Sequence, residues 1–309
     1  MVVNGIHHVT AIAGRAARNL DFYTRTLGLR LVKKTVNFDD PTTYHLYYGD
    51  ETGQPGTILT FFPWDHAAPG RLGVGETQEI VFCVPEGAIG FWSHRLIEKG
   101  VPHDSLVKRF GETVLAFRDP DGLRLAFVAR AGDDLLPGRA TSDIPAEHAI
   151  RGFHSISLLL EEAEGTAGIL TDILGFREVG REETLIRFVC DANFGRIIDL
   201  RAVGGFLKPR VGAGSVHHVA FRAADDAQQA LMVRKLAENH GIAATEQKDR
   251  NYFRSVYFRE PGHVLFEIAT DAPGFAVDEA PEDLGQALRL PPFLESRREE
   301  IEGRLPDLG

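Results

Sequence analysis

Gly5-Ile6-His7-His8-Val9-Thr10 and Ser215-Val216-His217-His218-Val219-Ala220-Phe221 decide the fold, because one histidine doublet heads an apolar alternating run twice. Each run reads as a β-strand. A later strand, Val264-Leu265-Phe266-Glu267-Ile268-Ala269, carries a single acid in an apolar setting. A carboxylate is costly to bury unless it is paired or coordinates a metal. Two His and one Glu on strands therefore make a candidate divalent-metal site. In a strand of period two, adjacent side chains point to opposite faces. One His of each doublet faces such a site, and the other lies on the far face or at a distortion.

Outward from the doublets the chain is a repeat. Segment one, about 5–63, predicts a strand (His7 to Ala13), a helix (Ala16 to Leu27) stopped by Gly28, and strands at Arg30 to Val36, Thr42 to Gly49 and Thr57 to Phe62. Segment four, 215–270, has the same order: a strand from Val216 to Arg222, a helix from Asp225 to His240 stopped by Gly241, then strands around Ala244, at Ser255 to Arg259 and at His263 to Ala269. Segment two (76–130) offers a strand from Gln78 to Val84, a helix from Gly87 to Lys99 and a strand from Leu123 to Val128. Segment three (152–203) offers a strand from Phe153 to Leu160 and a helix from Ala163 to Leu174. Glycine just past each helix supplies a left-handed cap.

The fold class is α+β: four βαβββ modules forming two domains with cupped, mostly antiparallel sheets. Modules one and two make an N-terminal domain (1–131), and modules three and four a C-terminal domain (150–273). The stretch 132–149, with Pro137, Gly138 and Pro145, reads as a linker. The tail, 274–309, holds a helix from Glu295 to Arg304 that packs on the body or mediates a homo-oligomer.

Composition bounds the function. Of 309 residues, 43% are hydrophobic and 25% charged, as in an ordinary globular protein. A formal net charge of -10 argues against nucleic acid or an anionic membrane as partner. Cys83 and Cys190 are the only cysteines and read as buried, inert thiols. Met1-Val2-Val3-Asn4 leads straight into the first strand and no run of eighteen apolar residues occurs, so neither a signal peptide nor a membrane span is expected and the default compartment is cytoplasmic.

Four such modules, with His on an opening strand and Glu on a closing one, resemble the vicinal oxygen chelate superfamily of glyoxalases, bleomycin-resistance proteins and type I extradiol dioxygenases. Within it the chain is similar to hydroquinone and chlorohydroquinone ring-cleaving dioxygenases, through the text Gly5 to Thr10 and through Asp249-Arg250-Asn251-Tyr252-Phe253-Arg254-Ser255-Val256-Tyr257-Phe258. The resemblance implies metal ligands from modules one and four: His8, His218 and Glu267. It implies supporting or catalytic roles for His7, Thr10, His217, Arg250 and Tyr257. It implies Fe(II), with Mn(II) or Zn(II) as other occupants that these ligand types accept, and a small aromatic substrate and O2 as partners. His217 is then the acid/base candidate, Tyr257 a hydrogen-bond partner and Arg250 the group that holds the ring's far hydroxyl or an anionic intermediate.

Alternatives stay open. His154, in the opening strand of module three, could replace His8, as in catechol extradiol enzymes. Glu79, His154 and Asp199 could line a second cup, although a relic cavity of hydrogen-bonded groups is the preferred reading. A glyoxalase-like isomerase or lyase usually needs a second carboxylate, which Thr57-Ile58-Leu59-Thr60-Phe61-Phe62 does not offer. A non-enzymatic binding protein needs no ligand set. Phe62 and Trp64 are candidates for an aromatic slot, with core packing as the commoner fate of such residues.

Overall fold

The computed structural model describes residues 5–132 and 136–309, so the reading of residues 1–4 and of part of the linker lies outside it. Each repeat is realised as four strands and a helix. Module one supplies β1 (Ile6–Ala13), α1 (Ala16–Asp21), β2 (Arg30–Asn37), β3 (Asp40–Gly49) and β4 (Ile58–Pro63). Module two supplies β5 (Glu76–Pro85), α2 (Ile89–Glu98), β6 (Val107–Arg109), β7 (Glu112–Arg118) and β8 (Arg124–Arg130). Module three supplies β9 (Phe153–Leu160), α3 (Glu164–Asp172), β10 (Arg177–Glu182), β11 (Leu185–Val189) and β12 (Ile197–Ala202). Module four supplies β13 (Val216–Ala223), α4 (Asp226–His240), β14 (Lys248–Asp249), β15 (Arg254–Arg259) and β16 (Leu265–Thr270).

The modules pair across the chain. One eight-stranded sheet has the order β14-β15-β16-β13-β1-β4-β3-β2, and the other β10-β11-β12-β9-β5-β8-β7-β6. Each sheet thus takes one module from either side of the 132–149 stretch. In each, the opening strand runs parallel to its own closing strand and the remaining neighbours are antiparallel. Every opening strand follows a glycine in the left-handed region: Gly5 (φ 103), Gly75 (φ 87), Gly152 (φ 101) and Gly214 (φ 83). A Cβ would strain each of those turns.

Period two sorts the strands. Val9 and Ala11 of β1 join the large apolar core, whereas His8 and Thr10 face the hollow of the sheet. Helices cover the apolar face: Tyr23 packs on Phe61 (ring centroids 4.6 Å apart) and Trp92 on Phe127 (4.4 Å). α4 begins at Asp225, whose side chain accepts from the Gln228 N–H, and stops at Gly241 (φ 64), as its sequence predicts. The helix expected to Leu27 changes to a π-helical turn over Phe22–Thr26. The strand expected around Ala244 is instead the two-residue β14 at the sheet edge.

The tail lies along β2. Lys33, wholly buried, makes ion pairs with Asp278 and with the buried Glu279. The expected tail helix is shorter than 295–304: a 3-10 turn at Glu295–Arg297 leads into α5 (Arg298–Glu302). Its Ile301 packs with Val36, Leu290 and Leu294. No helix among the described residues is long and apolar enough to cross a membrane.

Candidate metal centre

Strands β1, β13 and β16 bring His8, His218 and Glu267 to one point in the hollow of the first sheet. His8 Nε2 lies 3.3 Å from His218 Nε2 and 3.6 Å from Glu267 Oε2, and His218 Nε2 lies 2.9 Å from that same oxygen. Ligands about 2.1 Å from a metal, at right angles, are about 3 Å apart, so the three atoms fit one face around a divalent ion. Glu267 Oε2 is buried without a hydrogen-bond partner, whereas Ser255 Oγ donates to Oε1. An orphaned buried carboxylate oxygen facing two imidazole nitrogens is what a cation would satisfy. Burial works to raise the Glu267 pKa, but His8 and His218 hold it well below the carboxylate range. Burial lowers the His218 pKa, with Glu267 opposing. This is the only such cluster among the described residues.

Both doublets solve the facing problem by the same distortion. In the β1/β13 ladder Ile6 pairs with Phe221 and His8 with Ala220, so His7 is an extra residue. Thr10 pairs with His218 and Ala11 with Val216, so His217 is the extra residue of the other strand. A bulge re-aims the side chain it inserts. Here it sets His7 Nδ1 at 2.9 Å from His8 Nδ1, and His217 Nδ1 at 2.8 Å from His218 Nδ1. A metal on Nε2 of His8 and His218 would leave each with its proton on Nδ1, donated to the preceding histidine. Such partners fix ligand tautomer and ring orientation. His7 lies behind the site against Phe253 (5.1 Å), where burial and His8 push its pKa well down. His217 lines the cleft, with its pKa lowered to about 4 by burial and by His218.

The centre is the floor of a cleft of about 240 Å³, lined among others by Phe62, Trp64, His217, Arg250, Phe253 and Tyr257. Phe62 and Trp64 stack nearly parallel, and Trp64 is fixed by donating from Nε1 to Thr43 Oγ1 at 2.9 Å. Arg250 Nε donates to Tyr257 OH at 3.3 Å, and Tyr257 meets His218 edge-on at 5.7 Å. Thr10 is buried in the sheet, with Oγ1 3.0 Å from Thr60 Oγ1. Asn37, Phe38, Asp39, His45 and Tyr47 also line the cleft and escaped the sequence reading. Their only signal is the alternation Thr43, His45, Tyr47 in β3, which does not say which face is concave.

His154 stands in the other sheet, where its Nε2 lies 2.9 Å from Glu112 Oε1. The ladder of β5 and β9 has its extra residues at Gln78 and His154. His154 therefore holds the frame of the bulged histidines, and Ser155 that of a ligand, so the His154, His218 and Glu267 set does not assemble. The frames of His8 and Glu267, joined through Ala220, correspond to Glu79 and Asp199, joined through Ser157. There Arg109 pairs with Glu79, while Arg187 binds Asp199 through two 2.8 Å bonds and Glu112 through one of 2.7 Å. Guanidinium groups supply the positive charge in that cup.

Residues 5–127 match the Glyoxalase/Bleomycin resistance protein/Dioxygenase superfamily. The chain is 47% identical over 308 residues to a Bacillus subtilis protein named "Putative ring-cleaving dioxygenase MhqO", covering 98% of this chain and 96% of that one. It is 34% identical over 310 residues to the chlorohydroquinone/hydroquinone 1,2-dioxygenase of Sphingobium indicum, covering 97% and 95%. A crystal structure of a Bacillus subtilis protein, titled a "putative dioxygenase", superposes with a TM-score of 0.94 at 46% identity, over 99% of this chain and 97% of that one. With the buried His-His-Glu centre, these likenesses across nearly the whole length place the chain in the glyoxalase/bleomycin resistance/dioxygenase superfamily, among its ring-cleaving dioxygenases.

Proposed function

We propose that the chain opens the ring of a hydroquinone-type aromatic, inserting both atoms of O2, with Fe(II) held by His8, His218 and Glu267. The observation that carries this reading is a three-ligand face at the floor of an aromatic-lined cleft. Two imidazoles and one carboxylate suit Fe(II) that leaves positions open for substrate and O2. Fe(II) held there would lower the pKa of a bound phenol and bring it beside O2. At about 240 Å³ the cleft is smaller than the roughly 300–1,000 Å³ of drug-sized sites, which suits one aromatic ring. Phe62 and Trp64, stacked on each other, form one apolar wall against that ring and exclude water. His217, whose Nδ1 accepts from His218, presents its Nε2–H to the cleft and acts there as the acid, donating to the oxygen of the coordinating hydroxyl. Arg250, steadied by Tyr257, stabilises negative charge as the ring opens.

An isomerase or lyase reading finds less support. The pseudo-twofold that exchanges His8 with His218 and Ala220 with Thr10 exchanges Glu267 with Thr60. The frame for a second carboxylate therefore holds a hydroxyl.

The test is oxygen uptake by anaerobically Fe(II)-loaded protein mixed with hydroquinone, chlorohydroquinone or catechol, with absorbance followed for a ring-opened product. Uptake with a hydroquinone, lost in His8→Ala, is the expected result. Tight metal binding with no uptake from any of the three would overturn the proposal.

A further inference from the structure

One hydrogen-bonded chain in the hollow has no part in the reading above. Thr10 Oγ1 lies 3.0 Å from Thr60 Oγ1, Thr60 Oγ1 lies 2.7 Å from His45 Nε2, and His45 Nδ1 lies 2.8 Å from Tyr47 OH. The first three groups stand on three adjacent strands, β1, β4 and β3, and the fourth follows two residues along β3 on the same face. The His45 ring is clamped between Tyr47 (centroids 4.0 Å apart) and Phe62 (4.3 Å). His45 and Tyr47 both line the cleft, and Tyr47 is 2% exposed. Burial, then Tyr252 and Tyr257, push the Tyr47 phenol well above its ordinary pKa, so it stays protonated. Burial and the nearby His8 and His218 push the His45 pKa well below its ordinary value.

A neutral imidazole has one N–H and one bare nitrogen, so the chain has two internal arrangements. In one, Tyr47 donates to His45 Nδ1 and His45 Nε2–H donates to Thr60, which leaves the Tyr47 oxygen able to accept from a ligand. In the other, Thr60 donates to Nε2 and His45 Nδ1–H donates to Tyr47, whose own O–H is freed for a ligand. Neither arrangement strands a buried polar atom within the chain. An isolated tyrosine in this wall would offer its hydroxyl in no fixed direction.

We propose that Tyr47 is the cleft's recognition group for the aromatic hydroxyl that does not coordinate the metal, and that His45, fixed by Thr60, is its positioning residue. The cleft then selects a ring with two oxygens over a ring with one. This deepens the dioxygenase reading and rests on it. Sites built to hydrogen-bond a hydroxyl reject the analogue that lacks it, because the site's own polar group is left unpaired.

The test is anaerobic calorimetric titration of the Fe(II)-loaded full chain with hydroquinone and with phenol, where the absence of O2 prevents turnover. Wild type is expected to prefer hydroquinone by about tenfold or more. Tyr47→Phe is expected to bring the two affinities within about threefold, chiefly by weakening hydroquinone. His45→Phe, which keeps an aromatic ring in the clamp, is expected to do the same, and His45→Gln, which restores a polar partner for Tyr47, to recover part of the preference. Disturbed packing would weaken both ligands together and leave the ratio unchanged. An unchanged ratio in Tyr47→Phe overturns the assignment while the dioxygenase reading stands. A wild type that binds metal but neither phenol overturns both.

Discussion

Arg250 Nη2 donates to Asp39 Oδ2 at 3.1 Å and so joins the β2–β3 turn of module one to the loop before β15 of module four. Both residues line the cleft. The same guanidinium holds Tyr257 through its Nε, so Asp39 and Tyr257 together fix the arginine. Asp39 itself is exposed, and an exposed pair of this kind contributes at most about 1 kcal/mol to stability. Its effect belongs to the cleft. Asp39→Ala should raise KM for the aromatic severalfold with a smaller change in kcat, and leave the urea midpoint within error. Steady-state oxygen uptake with a parallel denaturation curve checks both.

Metal content separates ligand from support. His8→Ala should reduce bound iron to background. His7→Ala, which removes only the partner of His8 Nδ1, should retain iron with affinity weakened about 10- to 100-fold. His154→Ala should bind iron like wild type, because His154 contacts Glu112 in the other sheet. Inductively coupled plasma analysis of equilibrium-dialysed variants reads all three. Iron lost from His154→Ala and kept in His8→Ala would reverse the assignment.

Lys33 is wholly buried against Glu279, itself buried, and Asp278. Removing one partner of a buried pair leaves an uncompensated charge, at about 3–5 kcal/mol. Arg289, 3.4 Å from Glu279, offsets part of this. Lys33→Ala should therefore lower stability by about 3 kcal/mol, and Lys33→Met combined with Glu279→Leu should recover most of it. Urea unfolding of the single and double variants checks the coupling.

In the second cup, burial works to raise the Glu112 pKa, yet His154 and Arg187 hold it at about 2 against an ordinary 4.5. A carboxylate depressed on folding stabilises the fold above its unfolded pKa and loses that contribution as pH falls toward its folded one. Part of the group is exposed, so solvent screening reduces the effect to about 1 kcal/mol. Between pH 5 and pH 2.5 the wild type should lose that much more stability than Glu112→Gln. Denaturation midpoints at the two pH values measure it.

The core of the site is legible because it is local. A histidine doublet after a glycine, and an acid between Phe266 and Ile268, announce themselves within six residues. The bulges are half legible: period two requires a distortion or a far-face histidine, but only the ladder shows that His7 and His217 are the extra residues. His154 misleads for the same reason, since one inserted residue moves the ligand frame to Ser155. His45 and Tyr47 escape because their role depends on the concavity of β3. β6 and β7 go unread because Val107-Lys108-Arg109 is short, charged and largely exposed, and because Glu112 and Arg118 mask the apolar alternation between them.

The two imidazoles that meet at the centre are 210 residues apart in the chain, and the carboxylate follows later still. At roughly 5–20 residues per second of synthesis, tens of seconds separate the appearance of His8 from that of Glu267. During that interval modules two and three, contiguous in the chain, can form their sheet while module one waits with an unpartnered β1 edge. A nascent chain halted anywhere before β16 lacks the full ligand set. A divalent metal that needs all three ligands is thereby withheld from unfinished protein, and only a chain extended through β16 can hold it.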